Sequence, residues 1–448
     1  MSLKENLQAV ASVEIKDRNF VNHFLTFRQQ RGEKISDPDV MAVAGELLSV
    51  AWRKTLKKGY TLDKFTDACM SRLSKKIVHE DFESLLKHMY FEDDARGLFQ
   101  VTPEFMLFKV GSTSSSNTRH VGTVLGNMLL SRKVVTQSSS ENLNFLEAEL
   151  LTEFQSFVTE LHTDNKTEDY LPFIGDVFTQ DISLLCRYPS YMMQNLRAFV
   201  SLYNFLYSAQ LAMNLRSWRT IPSSKPLYFI LDTERASSER TYVREAFSSL
   251  IDYVEDLFPV LSALEYFNQP DNKDAIRYPL WKHYQFIQNA HPDDKNQLSL
   301  ELKIFLEKYR RVREREPWSG ELSTAEQIIQ AIVTTAKEIF SQARSSQLTV
   351  NKKVVASFEG EVARHFIQNR KRGGRVLIMN QDYLLLLTNL AVGRKEKLQF
   401  QQLIEEFKRR GVWFDQQSQQ ALIEFYERVG NLERMSDSGD AVYVRKTI

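Results

Sequence analysis

The 448-residue sequence predicts a mainly α, multi-domain helical protein that ends in a C-terminal winged-helix domain, three helices plus a β-hairpin. Three observations lead there. Apolar residues recur three and four apart over long windows, the spacing of one face of a helix. The length exceeds what a single compact core accommodates, since domains commonly hold about 150 residues. Roughly the last hundred residues carry three capped amphipathic segments and then two alternating ones.

Composition sets the class. Hydrophobic residues make up 43% and charged residues 26%, with few Gly and Pro, which excludes fibrous and low-complexity chains. Cys69 and Cys186 are the only cysteines and lie in no CxxC or Cys/His cluster, so neither a disulfide framework nor a structural zinc site is expected. Lys4, Glu5 and Glu14 break the pattern of a secretory signal, and no apolar run reaches the ~18 residues of a membrane span. The expectation is a cytoplasmic protein with no membrane partner.

Along the chain, residues 1–110 read as a first helical unit, with Phe20, Phe24 and Phe27 at helical spacing. Ser-rich stretches at 111–118 and 137–140 read as loops flanking a short segment at 122–132. A large helical block follows over 141–348. Within it Leu196, Phe199, Val200, Tyr203, Leu206 and Tyr207 mark one helix, and Pro189, Pro222, Pro270 and Pro292 mark places where helices stop. Helical periodicity fades at 345–353, so the C-terminal unit is expected over 349–448. No internal repeat is visible.

Catalytic patterns are mostly missing. No GxxxxGK[ST] phosphate cradle occurs, and the glycine-containing stretch at 120–127 lacks the lysine and hydroxyl such a cradle needs. The run PLYFILDTE at 226–234 reads as a buried strand or a helix start, with a metal site at Asp232 as the alternative. Asp293, Glu301 and Lys303 fit a PD…ExK nuclease string, which would hold a divalent metal to activate water. Leu298, Leu302, Phe305, Tyr309 and Val312 nevertheless recur at helical spacing there, which turns Glu301 and Lys303 to different sides. The basic run at 308–315 reads as a solvated helix face. The eight histidines are scattered, and neither HExxH nor GxSxG occurs. A binding or scaffolding role with no cofactor is expected, and a nuclease subunit is the enzyme-class alternative.

The C-terminal unit is the most informative part. Asn380 caps a helix through Leu384, Leu387 and Leu390 that Gly393 can end, and Phe400, Leu403, Ile404 and Phe407 carry a second helix to Gly411. Asp415 caps the third, which buries Leu422, Phe425, Tyr426 and Val429 and turns Gln416, Gln417, Gln420, Glu424, Glu427 and Arg428 outward. Leu432 to Met435 and Ala441 to Arg445 form the hairpin, with Gly439 at a polar tip shaped by Asp437, Ser438 and Asp440. Glutamine can bond an adenine edge twice in the major groove, while basic residues hold phosphate. The candidates for duplex DNA are therefore Gln416, Gln417, Gln420 and Arg428, with Arg434, Arg445 and Lys446 on the wing. Lys408, Arg409, Arg410, Arg370, Lys371 and Arg372 complete the basic set. From residue 351 onward 17 Lys and Arg face 12 Asp and Glu, against an overall net charge of +1. Glu424 and Glu427 suit phosphate poorly, so a protein-docking winged helix stays open beside the DNA-binding one.

Residues 411–448 carry Phe414-Asp415, Ser418, Ala421-Leu422, Phe425-Tyr426-Glu427-Arg428, Gly430, Ser436-Asp437-Ser438-Gly439-Asp440 and Tyr443-Val444-Arg445. This stretch resembles the C-terminus of the DptG family, a component of the bacterial phosphorothioation-dependent DNA restriction system. The resemblance is specific over about forty residues. It implies a restriction complex with DptF-type and DptH-type ATPase subunits that attacks DNA lacking the sulfur modification, and it carries no catalytic residues to positions here.

Overall fold

The stripe from Leu196 to Tyr207 becomes the buried face of a 27-residue helix that starts on Pro189, a residue whose fixed φ suits the first helical position. The computed structural model describes residues 2–16, 20, 22–27, 38–77, 81–112, 115–134, 143–162, 166–237, 239–434 and 442–448. Helices dominate it. The N-terminal ones are α1 (Leu3–Gln8), α2 (Val40–Trp52), α3 (Leu62–Leu73), α4 (Phe82–Tyr90), α5 (Arg96–Val101), α6 (Ser116–Asn127) and α7 (Phe145–Phe157). Next come α8 (Pro172–Leu185), α9 (Pro189–Leu215), α10 (Thr241–Phe267), α11 (Leu280–Asn289), α12 (Pro292–Val312), α13 (Ala325–Ser341) and α14 (Ser346–Ser357). The last three are α15 (Gln381–Val392), α16 (Phe400–Arg409) and α17 (Gln416–Arg428). No described helix is long and apolar enough to cross a membrane.

Short strands tie distant parts of the chain together. A two-stranded antiparallel ribbon pairs β1 (Lys54–Leu56) with β2 (Val158–Glu160). A four-stranded sheet is built from β3 (Tyr228–Leu231), β4 (Ile367–Asn369), β5 (Arg375–Met379) and β7 (Trp413–Phe414), in the order β4-β5-β3-β7. In it β3 runs parallel to both β5 and β7. Its apolar run is buried on both faces, as a central parallel strand requires: Phe229 and Leu231 join the main core, while Ile230 packs with Val376, Ile378 and Val243 of α10. The third sheet joins β6 (Lys397–Gln399), β8 (Leu432–Arg434) and β9 (Val442–Arg445). Among the described residues one continuous hydrophobic cluster runs from Leu3 to Val444.

Three expectations are corrected. Among the described residues 20 and 22–27, which carry Phe20, Phe24 and Phe27, none is helical. Instead the Asn22 side chain accepts the amides of Phe24 and Leu25 at 3.0 and 3.1 Å, a local bond that competes with helix, and Phe24 meets Tyr170 edge-on at 5.1 Å. The serines at 115 and 116 open α6 rather than lying in a loop, because the Ser115 hydroxyl accepts the Thr118 amide at 3.2 Å. Residues 346–353 are helical too. Ser345 caps α14 by accepting the Leu348 amide at 3.0 Å, and Asn351 anchors it by donating to the Glu255 carbonyl at 2.9 Å. Residues 137–140 lie outside the described part.

Candidate nucleic-acid interface

The C-terminal elements assemble as the chain order α15, β6, α16, β7, α17, β8, β9, with an antiparallel sheet ordered β6-β9-β8. Lys397 faces Arg445 and Leu398 faces Val444 across one ladder, while Leu432 faces Val444 across the other. The first of these strands was not legible as an extended element. Leu398, Val444, Leu403, Phe407, Leu422, Phe425 and Tyr426 are buried, whereas Val429, expected to join them, is exposed because it sits at the C-cap beyond the last helical residue. The Tyr426 hydroxyl bonds that of Thr388 at 2.6 Å.

The third helix of this unit, α17, starts where the sequence places it. Asp415 caps it by accepting the Ser418 amide at 2.9 Å. Gln416, Gln417, Gln420, Glu424, Glu427 and Arg428 are all exposed, and Arg428 lies beside the Phe425 ring. The candidate cations are more engaged. Arg434 donates to Glu427 at 2.8 Å and Arg445 to Glu433 at 2.6 Å, although both stay more than half exposed. Lys408 pairs with Glu405 and Arg409 with Glu406. Lys446 turns inward, donating to the Tyr188 hydroxyl and the Gly393 carbonyl at 3.3 Å each. Arg370 donates to the Asp232 carbonyl, Lys371 is exposed, and the Arg372 side chain lies outside the described part. The tip residues Ser436, Asp437, Ser438, Gly439 and Asp440 lie outside the described residues as well.

Arg410 is the clear departure. It is 2% exposed and donates to both oxygens of Asp181 on α8, at 2.6 and 2.9 Å, so it is not available to phosphate. Burial works against its charge, but Asp181 outweighs that and raises the guanidinium pKa above its ordinary value. Tyr203 also donates to Asp181, and Glu406 takes another Arg410 nitrogen at 2.9 Å.

A second clamp was missed in the sequence. Arg240, at the start of α10, donates to Asp415 at 2.6 and 2.8 Å, to Glu234 at 2.7 Å and to the Ser418 hydroxyl at 2.6 Å. The Ser418 hydroxyl in turn bonds Glu234 at 2.9 Å. Burial alone would raise the Asp415 carboxyl pKa, yet Arg240 and the Ser418 amide hold it below the usual range. Asp415 and Ser418 thus fasten the head of α17 to the β3–α10 connection. In the sequence Asp415 reads as a helix cap, and nothing near it announces Arg240 as its partner. Between α16 and α17, the Trp413 amide donates to the Leu227 carbonyl at 3.0 Å, which makes β7 an extra strand of the central sheet.

The alternative nuclease set does not converge. Asp293 and Glu301 lie on α12 eight residues apart, about 12 Å along a helix at ~1.5 Å per residue, too far to share one metal ion. The basic run beside them holds the N-terminal segment: Lys308 donates to the Val13 carbonyl at 2.7 Å and Arg313 to that of Lys16 at 2.7 Å. Asp232 follows β3 in a turn, and Glu234 is committed to Arg240 and Ser418. Among the described residues no three His, Cys, Asp or Glu side chains are grouped to hold a metal ion. No protein-family model matches the chain, and no curated protein matches it.

Proposed function

We propose that the C-terminal unit is a winged helix and that the chain is a cytoplasmic, non-catalytic subunit that contacts duplex DNA and bridges partner proteins. Following the DptG resemblance, those partners are DptF-type and DptH-type ATPases of a phosphorothioation-dependent restriction complex that attacks unmodified DNA. The observation that carries the reading is the strand order β6-β9-β8 behind three helices, with the glutamine face of α17 exposed. In such a unit the third helix enters the major groove and the hairpin holds backbone. Arg428, Arg434, Arg445 and Arg409 are among its exposed cations.

The test is fluorescence anisotropy of the full chain with duplex DNA across a salt series. The expected result is a linear fall of log affinity with log salt, and replacement of Arg428 by alanine should reduce that slope by about 1. Absence of duplex binding at low salt would overturn the DNA part.

A docking role for the same face is favoured by a specific observation, since Glu424 and Glu427 are exposed on α17 and Glu427 already occupies Arg434. Charge reversal, Glu424→Lys with Glu427→Lys, separates the two readings. It strengthens binding to DNA if DNA is the ligand and weakens assembly with partner subunits if protein is.

A further inference from the structure

We infer that a row of aromatic rings beside the central sheet is a stacking platform for an unpaired nucleobase, and that the adjoining groove takes single-stranded nucleic acid. Tyr242, at the second position of α10, is 71% exposed although its ring is large and apolar. It stacks on Tyr228 of β3 with centroids 5.3 Å apart and planes 23° apart. Tyr228 in turn meets Trp413 at 6.1 Å, its register partner across the β3–β7 ladder. The row is therefore held by backbone pairing at its inner end and left open at Tyr242.

A groove of about 490 Å³ adjoins the row, lined by Tyr228, Tyr242, Tyr253, Lys225, Arg216 and Glu245 among others. Its charges suit a phosphodiester chain. Lys225 makes no ion pair among the described residues. Arg216 lies over the Tyr253 ring at 4.4 Å while bonded to Asp256; outside the groove, at the inner end of the row, Lys408 lies over Trp413 at 5.1 Å while paired with Glu405. Among the described lining residues Glu245 is the only carboxylate. Exposed aromatic faces flanked by cations bind single strands without sequence choice, because every base offers a π face.

The duplex reading above invokes the α17 face and not these rings, so the two proposals fail separately. The experiment uses the full chain with a fluorescent oligothymidylate, an abasic strand of the same length, and duplex DNA. Expected results are clear binding of oligothymidylate, at least several-fold weaker binding of the abasic strand, and a loss on the order of tenfold in oligothymidylate affinity for Tyr242→Ala. Tyr242→Phe should retain the affinity, and Tyr242→Ala should leave duplex affinity unchanged. Equal binding of thymidylate and abasic strands, or full thymidylate affinity in Tyr242→Ala, overturns the platform. Replacing Gln416, Gln417 and Gln420 by alanine should instead weaken duplex binding alone, and failure there would count against the α17 reading only.

Discussion

The pair between Arg410 and Asp181 shows how a residue that looks like a surface cation becomes a structural one. Lys408, Arg409 and Arg410 sit side by side at the C-terminal end of α16, and the helix turn leaves Arg409 exposed and Lys408 half-buried while sending Arg410 into the core. Removing Arg410 leaves Asp181 charged and buried, with Tyr203 beside it. Arg410→Met should therefore destabilise the chain by about 3–5 kcal/mol in urea unfolding, and adding Asp181→Leu should recover a large part of that loss. His283 supplies the pH dependence. Its Nε2 lies 3.0 Å from Asn268 Oδ1, an oxygen that also accepts the Tyr278 amide, and burial pushes the imidazole pKa down to about 3 from 6.5. A base with a depressed folded pKa contributes its full stability above pH 6.5 and loses it as the pH falls toward 3. Each pH unit in that window removes about 1.4 kcal/mol, so unfolding measured at pH 5 should show a deficit of about 2 kcal/mol relative to pH 7. His283→Gln should flatten that slope.

At the scale of elements, legibility followed the range of the interactions that fix each one. The helix α9 was readable from its apolar stripe and the Pro189 at its start, and α15, α16 and α17 from apolar stripes and nearby terminal glycines, with Asn380 and Asp415 capping the first and last of these three. Gly411 is the plainest case: it ends α16 at φ +82°, and a Cβ there would stand 2.6 Å from the Gln210 side chain. Three-residue strands are different. The strand β6 exists because Leu398 finds Val444 on β9, and nothing near Lys397-Leu398-Gln399 announces that partner. The helix α14 was hidden for the opposite reason, since its few apolar residues give little stripe and its anchor, Glu255, lies on α10. Around Phe24 the spacing was helical but the Asn22 side chain and the Thr26 hydroxyl, bonded to Ser208 at 2.8 Å, set the backbone instead. The candidate interface divides in the same way. The exposed glutamines of α17 follow from helix geometry alone, whereas Arg240 lies 175 residues from the Asp415 it holds.

For the whole molecule, the basic excess after residue 351 is partly an internal matter. Arg410 reaches back to Asp181 on α8, and Asp415 is met by Arg240 at the head of α10, so charges of the C-terminal unit are matched across its junction with the rest. The same junction is stitched by backbone, because β3 supplies the strand between β5 and β7. Further bonds run from Asn389 of α15 to the Tyr191 hydroxyl at 2.8 Å and from the Ser224 hydroxyl to the Lys408 carbonyl. Residues 349–448 expressed alone would leave β5 and β7 without their shared neighbour, Arg410 without its carboxylate, and the apolar side chains of β5 open to water. Exposed edges and an unpaired buried charge both work against a cooperative fold. The expected outcome is a broad, shallow urea transition for that fragment, followed by Trp413 fluorescence, and a sharper one when residues 1–348 are added in trans. A fragment that unfolds alone as sharply as the full chain would show that the clamps and the shared strand contribute little. The proposed DNA contact of the C-terminal unit would then be testable on that unit apart from the remainder of the protein.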